Sequence, residues 1–213
     1  MAATRWGDRT AKRREVLAAA RTLLDEEGPD ELSMRRVAER AGVSPGTVYT
    51  LFQHKEELFA TLYVERLERF RAEVEWTVRD QTRPEELVVA MGRRYVDIYA
   101  IFGSRLDAWY MMVERDQWPP ELVERLMQVT LKLLDCIERL TRGFGLETMP
   151  ARVRRRAAPL LWATLNGLAE QYSGVRHELH GLELDDMLTF SARVLVAGLQ
   201  DLSAEAAPTD TEE

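Results

Sequence analysis

Apolar residues return every third or fourth position along the chain, and no β-branched run alternates with polar residues, so helices are predicted almost throughout. Val16, Leu17, Ala20, Leu23 and Leu24 form the first stripe. Gly28-Pro29 ends it, because glycine accepts the left-handed turn that closes a helix and proline cannot continue one. This predicts a helix over about residues 9–27. Ser33 is placed to cap a short second helix with Met34, Val37, Ala38 and Ala41 inward and Gly42 at its end. Ser44-Pro45 opens a third helix over 45–51, since proline at the first helical position lacks an N–H that would have no partner there. A fourth begins near Lys55, with Glu56 and Glu57 at the positive end of the helix dipole, and runs to about Asp80 along Leu58, Leu62, Val64, Leu67, Phe70 and Val74. Beyond Arg83-Pro84, helices are predicted at about 85–102, 104–115, 120–143, 150–175 and 184–202. The fold class is all-α.

A chain of 213 residues with 46% hydrophobic and 31% charged residues buries a real core. Its net charge of -7 argues against a nucleic-acid partner until the charges are located. Residues 1–55 carry ten Lys and Arg against eight Asp and Glu, a balance of +2, and the rest of the chain carries -9. Within Met1–Leu24, Arg5, Arg9, Lys12, Arg13, Arg14 and Arg21 face only Asp8 and Glu15, so this end is suited to an anionic partner. The single cysteine, Cys136, permits no intrachain disulfide and no cysteine cluster, which suits a reducing interior. Met1–Thr10 lacks the apolar run of a signal peptide, and the longest small-and-apolar stretch, Ala157–Leu165, is about half the roughly 20 residues that span a bilayer. A cytoplasmic protein without membrane contact is expected, with residues 203–213 as a disordered acidic tail.

The two short helices joined by Ala41-Gly42-Val43-Ser44 match a helix-turn-helix, whose second helix enters the major groove of DNA. Ala38 allows a close crossing, and Val43, Val48 and Phe52 plug the base, leaving Gly46, Thr47, Tyr49 and Thr50 outward. The run from Ser33 to Phe59, above all Gly-Val-Ser-x-Gly-Thr-x-Tyr-x-x-Phe followed by Lys-Glu-x-Leu, resembles the DNA-binding domain of the TetR family of bacterial transcriptional repressors. The resemblance covers about residues 10–59. It implies that Tyr49 meets a phosphate through its hydroxyl and that Lys55 does so at the start of the fourth helix, where free N–H groups add to the ammonium. It further implies that Thr47 touches phosphate or a thymine methyl, that Pro45 and Gly46 let the backbone approach the groove, and that Arg35 and Arg36 reach phosphates or base edges. Ser44, Thr50 and His54 complete the expected DNA-binding set. Leu51 and His54 depart from the family pattern, so base readout by polar side chains looks sparse, and the Met1–Arg14 arm is a further source of contacts.

The expected organisation is a helix-turn-helix domain with a basic N-terminal arm over 1–55, joined by the long fourth helix to an effector-binding and dimerisation domain over 56–202. Tyr95, Tyr99, Phe102, Trp109, Tyr110, Met111, Met112 and Trp118 concentrate large adaptable side chains that either fill the core or line an apolar ligand site. The resemblance favours the second use and implies an effector held near Phe70, Tyr99, Phe102, Trp109, Met112, Trp162 and Asn166. Asn166, polar on an apolar helix face, either bonds the effector or satisfies a carbonyl in the core. The last two helices are apolar on more than one face. The resemblance implies that they pair across a twofold axis as a homodimer, with Leu161, Leu165, Leu168, Phe190, Val194 and Gly198 in the interface and a pseudo-palindromic double-stranded operator as partner. His177 and His180 bracket a glutamate at i and i+3, short of the His-Glu-x-x-His spacing, and read as a solvated helix end rather than a metal site. Neither a cofactor nor a catalytic set is indicated. The function expected is a repressor released from DNA by a small, mostly apolar effector. The alternatives are an activator or corepressor-dependent regulator and, from another class, a helical enzyme or lipid-binding protein with a vestigial helix-turn-helix.

Overall fold

Helix caps written into the sequence set the N-terminal architecture. Ser33 Oγ accepts the Arg36 N–H at 3.3 Å and opens α2, Met34–Arg40. Ser44 Oγ accepts the Thr47 N–H at 3.2 Å and opens α3, Pro45–Leu51, with Pro45 at its first position. Gly42 between them takes φ +64°, the left-handed region that costs a side-chain-bearing residue about 1 to 2 kcal/mol. The structure, a computed structural model, describes residues 2–80, 83–103, 118–142 and 151–204. The predicted helix at 104–115, the Gly143 to Pro150 turn and the tail from 205 onward lie outside the described residues, as do Trp109 and Met112.

Helix α1 runs Ala2–Glu27, so the stretch expected as an arm is helix and joins the first stripe without a break. Its hydrogen-bond ladder simply extends beyond the turns that packing holds. The remaining elements are α4 (Lys55–Asp80), α5 (Pro84–Phe102), α6 (Pro120–Arg142), α7 (Ala151–Tyr172), a 3-10 turn at Val175–Leu179 and α8 (Leu184–Ala204). No strand occurs among the described residues.

Residues 2–66 with 118–125 form one compact unit and residues 67–103 with 126–204 a second. The first unit ends at 66 rather than near 55 because the opening turns of α4 belong to its core. Leu58, Ala60 and Leu62 are buried there with Val16, Leu23, Val37, Val48 and Phe52, and Glu65 pairs with Arg21 of α1 at 2.7 Å. In the second unit α5 packs on α7 and α8 around Phe70, Met91, Tyr95, Ile98, Leu165 and Leu188. Gly92 marks the tightest crossing, where a Cβ would stand 2.2 Å from Leu188 Cδ2 and 3.2 Å from Leu165 Cδ2. A bidentate ion pair closes the same interface at its edge, Arg93 to Asp185 at 2.6 and 2.8 Å.

Candidate nucleic-acid interface

The side chains expected to meet DNA divide into those that build the motif and those it presents. Ser44 and Thr47 spend their hydroxyls on the cap and on each other, 2.9 Å apart, and the Thr50 hydroxyl donates to the Gly46 carbonyl at 2.8 Å. Pro45 and Gly46 lie exposed on the first turn of α3. His54 acts as the cap of α4. Its Nδ1 accepts the Glu57 N–H at 3.1 Å while the Glu57 carboxylate accepts the N–H of the preceding residue, Gln53, at 2.7 Å, a capping box displaced by one residue with imidazole in the serine role. The His54 ring also meets Trp118 edge-on at 5.4 Å. The departure from the family pattern at this position is therefore a different cap for the same helix.

Arg36 is taken up by carboxylates, since it pairs with Glu27 and Glu31 while Arg40 pairs with Glu26 and Glu27. Arg36, expected to meet the duplex, has its guanidinium held by carboxylates at and just beyond the end of α1. Arg35 is the exposed cation of α2 without an ion pair among the described residues. Tyr49 is 56% exposed on the outer side of α3, and Lys55 stands at the start of α4, likewise without an ion pair among the described residues. Arg35, Tyr49 and Lys55 are thus presented by α2, α3 and α4 in turn.

The second unit gathers several of the residues assigned to the effector around one that was not. Tyr95 is buried, and its ring centre lies 5.9 Å from Phe70, 6.4 Å from Tyr99 and 4.7 Å from Trp162. Its hydroxyl donates to Asn166 Oδ1 at 2.6 Å, and Asn166 Nδ2 donates to the Trp162 carbonyl at 2.9 Å. Phe102 is buried farther along α5. Tyr95 was legible as the middle of the stripe Val88, Met91, Tyr95, Ile98, Phe102, and an asparagine on an apolar face asks for such a donor.

On α7, Leu161, Leu165 and Leu168 are buried in the core of the second unit, and Leu160, Ala163 and Gly167 face outward. On α8, Phe190 and Val194 are 64% and 54% exposed, with Ala197 and Gly198 beside them. His177 stacks on Tyr172 at 5.2 Å within the 3-10 turn, and among the described residues no three metal-ligating side chains cluster. Cys136 is buried. Among the described residues no helix is long and apolar enough to cross a membrane.

Residues 16–62 match the family described as bacterial regulatory proteins, tetR family. Over 132 residues the chain is 25% identical to a fatty acid metabolism regulator protein of Bacillus subtilis, covering 61% of this chain and 66% of that one. Over 52 residues it is 46% identical to an uncharacterised helix-turn-helix transcriptional regulator of Mycobacterium tuberculosis, 24% of each chain. These matches span less than two thirds of either relative. In fold it is similar to the transcriptional regulator FadR of Bacillus subtilis, solved with stearoyl-CoA, at a TM-score of 0.57 and 19% identity, covering 87% of this chain and 98% of that one. The capped α2–α3 motif lies inside the matched stretch, so residues 16–62 form a helix-turn-helix segment like that of the bacterial regulatory proteins of the tetR family.

Proposed function

We propose that the chain is a homodimeric repressor that occupies a pseudo-palindromic operator and leaves it when a small, mostly apolar effector enters the second unit. The observation that carries the DNA reading is that Arg35 and Tyr49 stand exposed on α2 and α3, with half-buried Lys55 at the start of α4, while Ser44, Thr47, Thr50 and His54 bond within the motif. Phosphate contacts from these three, with backbone approach at Pro45 and Gly46, suit a protein that positions itself on the duplex backbone. The exposed apolar faces of α7 and α8 support pairing with a second copy through Leu160, Phe190, Val194 and Gly198.

For the effector, the supporting geometry is an aromatic cluster with one polar pair, Tyr95 and Asn166, inside it. Arg155 precedes Trp162 and Asn166 by seven and eleven residues on α7, so it falls on the same helical stripe, and it is exposed. An apolar site with a cation along its stripe suits an amphiphile with an anionic head, and an acyl thioester of coenzyme A is the first class to test, as FadR of Bacillus subtilis was solved with stearoyl-CoA. Helix α4 carries both Lys55 and Phe70 and so joins the two ends of the coupling.

The test is fluorescence anisotropy with duplex DNA from the intergenic region beside the gene, at two salt concentrations, with and without saturating stearoyl-CoA. The expected result is salt-sensitive binding that Tyr49→Ala weakens and the thioester lowers about a hundredfold, a coupling of about 2.7 kcal/mol. Unchanged affinity on adding thioester rejects that effector class, and increased affinity makes the chain corepressor-dependent. No binding by the wild-type chain rejects the DNA reading.

A further inference from the structure

Helix α1 outruns the core that holds it. Among the described side chains its buried stripe starts at Val16, yet the helix starts at Ala2, about 14 residues or about 21 Å of helix earlier. In this extension Arg9 and Lys12 precede Val16 by seven and four residues and so share its helical stripe. The face that is core farther along the helix is therefore cationic here. Arg9, Lys12 and Arg14 carry no ion pair among the described residues, and only two acids, Asp8 and Glu15, lie on the same stretch.

Arg13 ties this extension to the reading helix. Its guanidinium lies 4.7 Å from the centre of the Phe52 ring, and Phe52 is the residue that ends α3, three positions before Lys55. Burial lowers the Arg13 pKa, and Arg125 and Arg9 add repulsion against the pull of Glu57 and Glu65. Cations thus crowd the corner from which the extension projects, and that corner belongs to the α3–α4 junction whose outer residues are Tyr49 and Lys55. Cations repeated along one face of a projecting helix match the regular spacing of phosphates along a duplex, whereas a protein partner of mixed charge would leave part of them uncompensated.

We propose that the N-terminal extension of α1 is a second DNA-contacting element, in which Arg9 and Lys12 bind backbone phosphates of duplex outside the half-site read by α3. It rests on the proposed operator binding. The interaction is blind to sequence and adds affinity in proportion to the length of flanking duplex.

The experiment compares the wild-type chain with Arg9→Ala/Lys12→Ala on an operator with long flanks and on one trimmed to its half-sites. Both changes lie ahead of the buried stripe, and circular dichroism checks that the helix is retained. On the long duplex the double variant should show a plot of log affinity against log salt shallower by about 1.8 per subunit, about 0.9 for each phosphate no longer neutralised. On the trimmed duplex the two proteins should bind alike. Arg9→Lys should keep the wild-type slope. An unchanged slope for the double variant, or an equal loss on both duplexes, overturns the proposal while leaving Tyr49-dependent binding intact. If the wild-type chain binds neither duplex, the operator reading falls and this proposal with it.

Discussion

Removing the Tyr95 hydroxyl tests whether the polar pair inside the second unit is a single mutually dependent device. Tyr95→Phe keeps the ring and its packing against Phe70, Tyr99 and Trp162, opens no cavity, and leaves Asn166 Oδ1 without the donor that stands 2.6 Å away. An acceptor left unsatisfied in a partly buried setting costs about 1 to 2 kcal/mol, which in a chain of this size lowers Tm by about 2 to 8 °C. Asn166→Leu removes the acceptor of the Tyr95 hydroxyl. The Tyr95 hydroxyl belongs to a side chain only 1% exposed, so its cost should be at the upper end, about 2 to 3 kcal/mol. With both partners made apolar the mutual dependence is gone, and the double variant should recover at least about 1 kcal/mol relative to the sum of the singles. The measurement is calorimetric and urea unfolding of the four proteins without ligand, with calorimetry resolving the second unit if the two units melt apart. Single costs that add to within about 0.5 kcal/mol would refute the reasoning, because additivity is the behaviour of independent sites.

Gly42→Ala should destabilise the helix-turn-helix by about 1 kcal/mol, since the space around its Cβ is open and the whole cost is the left-handed backbone; amide exchange in α2 and α3 reads it. At the acid end, the Arg93 guanidinium hydrogen-bonded to Asp185 holds that carboxyl below its ordinary value. The stability this provides is present above about pH 4 and is lost as pH falls through the lowered value, so Asp185→Asn should flatten the acid limb of the stability curve. At the alkaline end, burial pushes the Tyr63 hydroxyl well above the ordinary tyrosine range. The folded chain then keeps a proton that the unfolded chain releases near pH 10, so stability falls as pH rises beyond about 10, and Tyr63→Phe should remove that fall. Phe190→Asp places a charge on the exposed α8 face; if the proposed dimer forms through it, sedimentation should show the variant lighter than the wild type, with operator affinity falling in parallel.

Helix existence and the cap residues were legible because they rest on local chemistry: Ser33, Ser44-Pro45 and Gly42 act within four residues of themselves. The helical state of residues 2–15 was not fully legible, because no apolar stripe marks it and basic residues read equally well as an arm. The destination of a polar group across the fold was also hidden. Nothing in the sequence near Arg36 says that Glu27 and Glu31 will claim it, and nothing near Asn166 names Tyr95, 71 residues away. Periodicity identified α7 and α8 as apolar on more than one side, yet Leu161 inside and Leu160 outside look alike until the partners of each face are known.

The crossing at Gly92 sets what α5 can do mechanically. With no side chain between the α5 backbone and the leucine methyl groups of α7 and α8, α5 approaches both helices at this crossing more closely than any larger residue would allow. Translation of α5 along its axis would bring Val88 or Met91 against Leu188, whereas a small roll leaves the crossing closed. Tyr95 lies three residues, about 5 Å, beyond that crossing, so the ring at the centre of the aromatic cluster is anchored close to the tightest packing of α5.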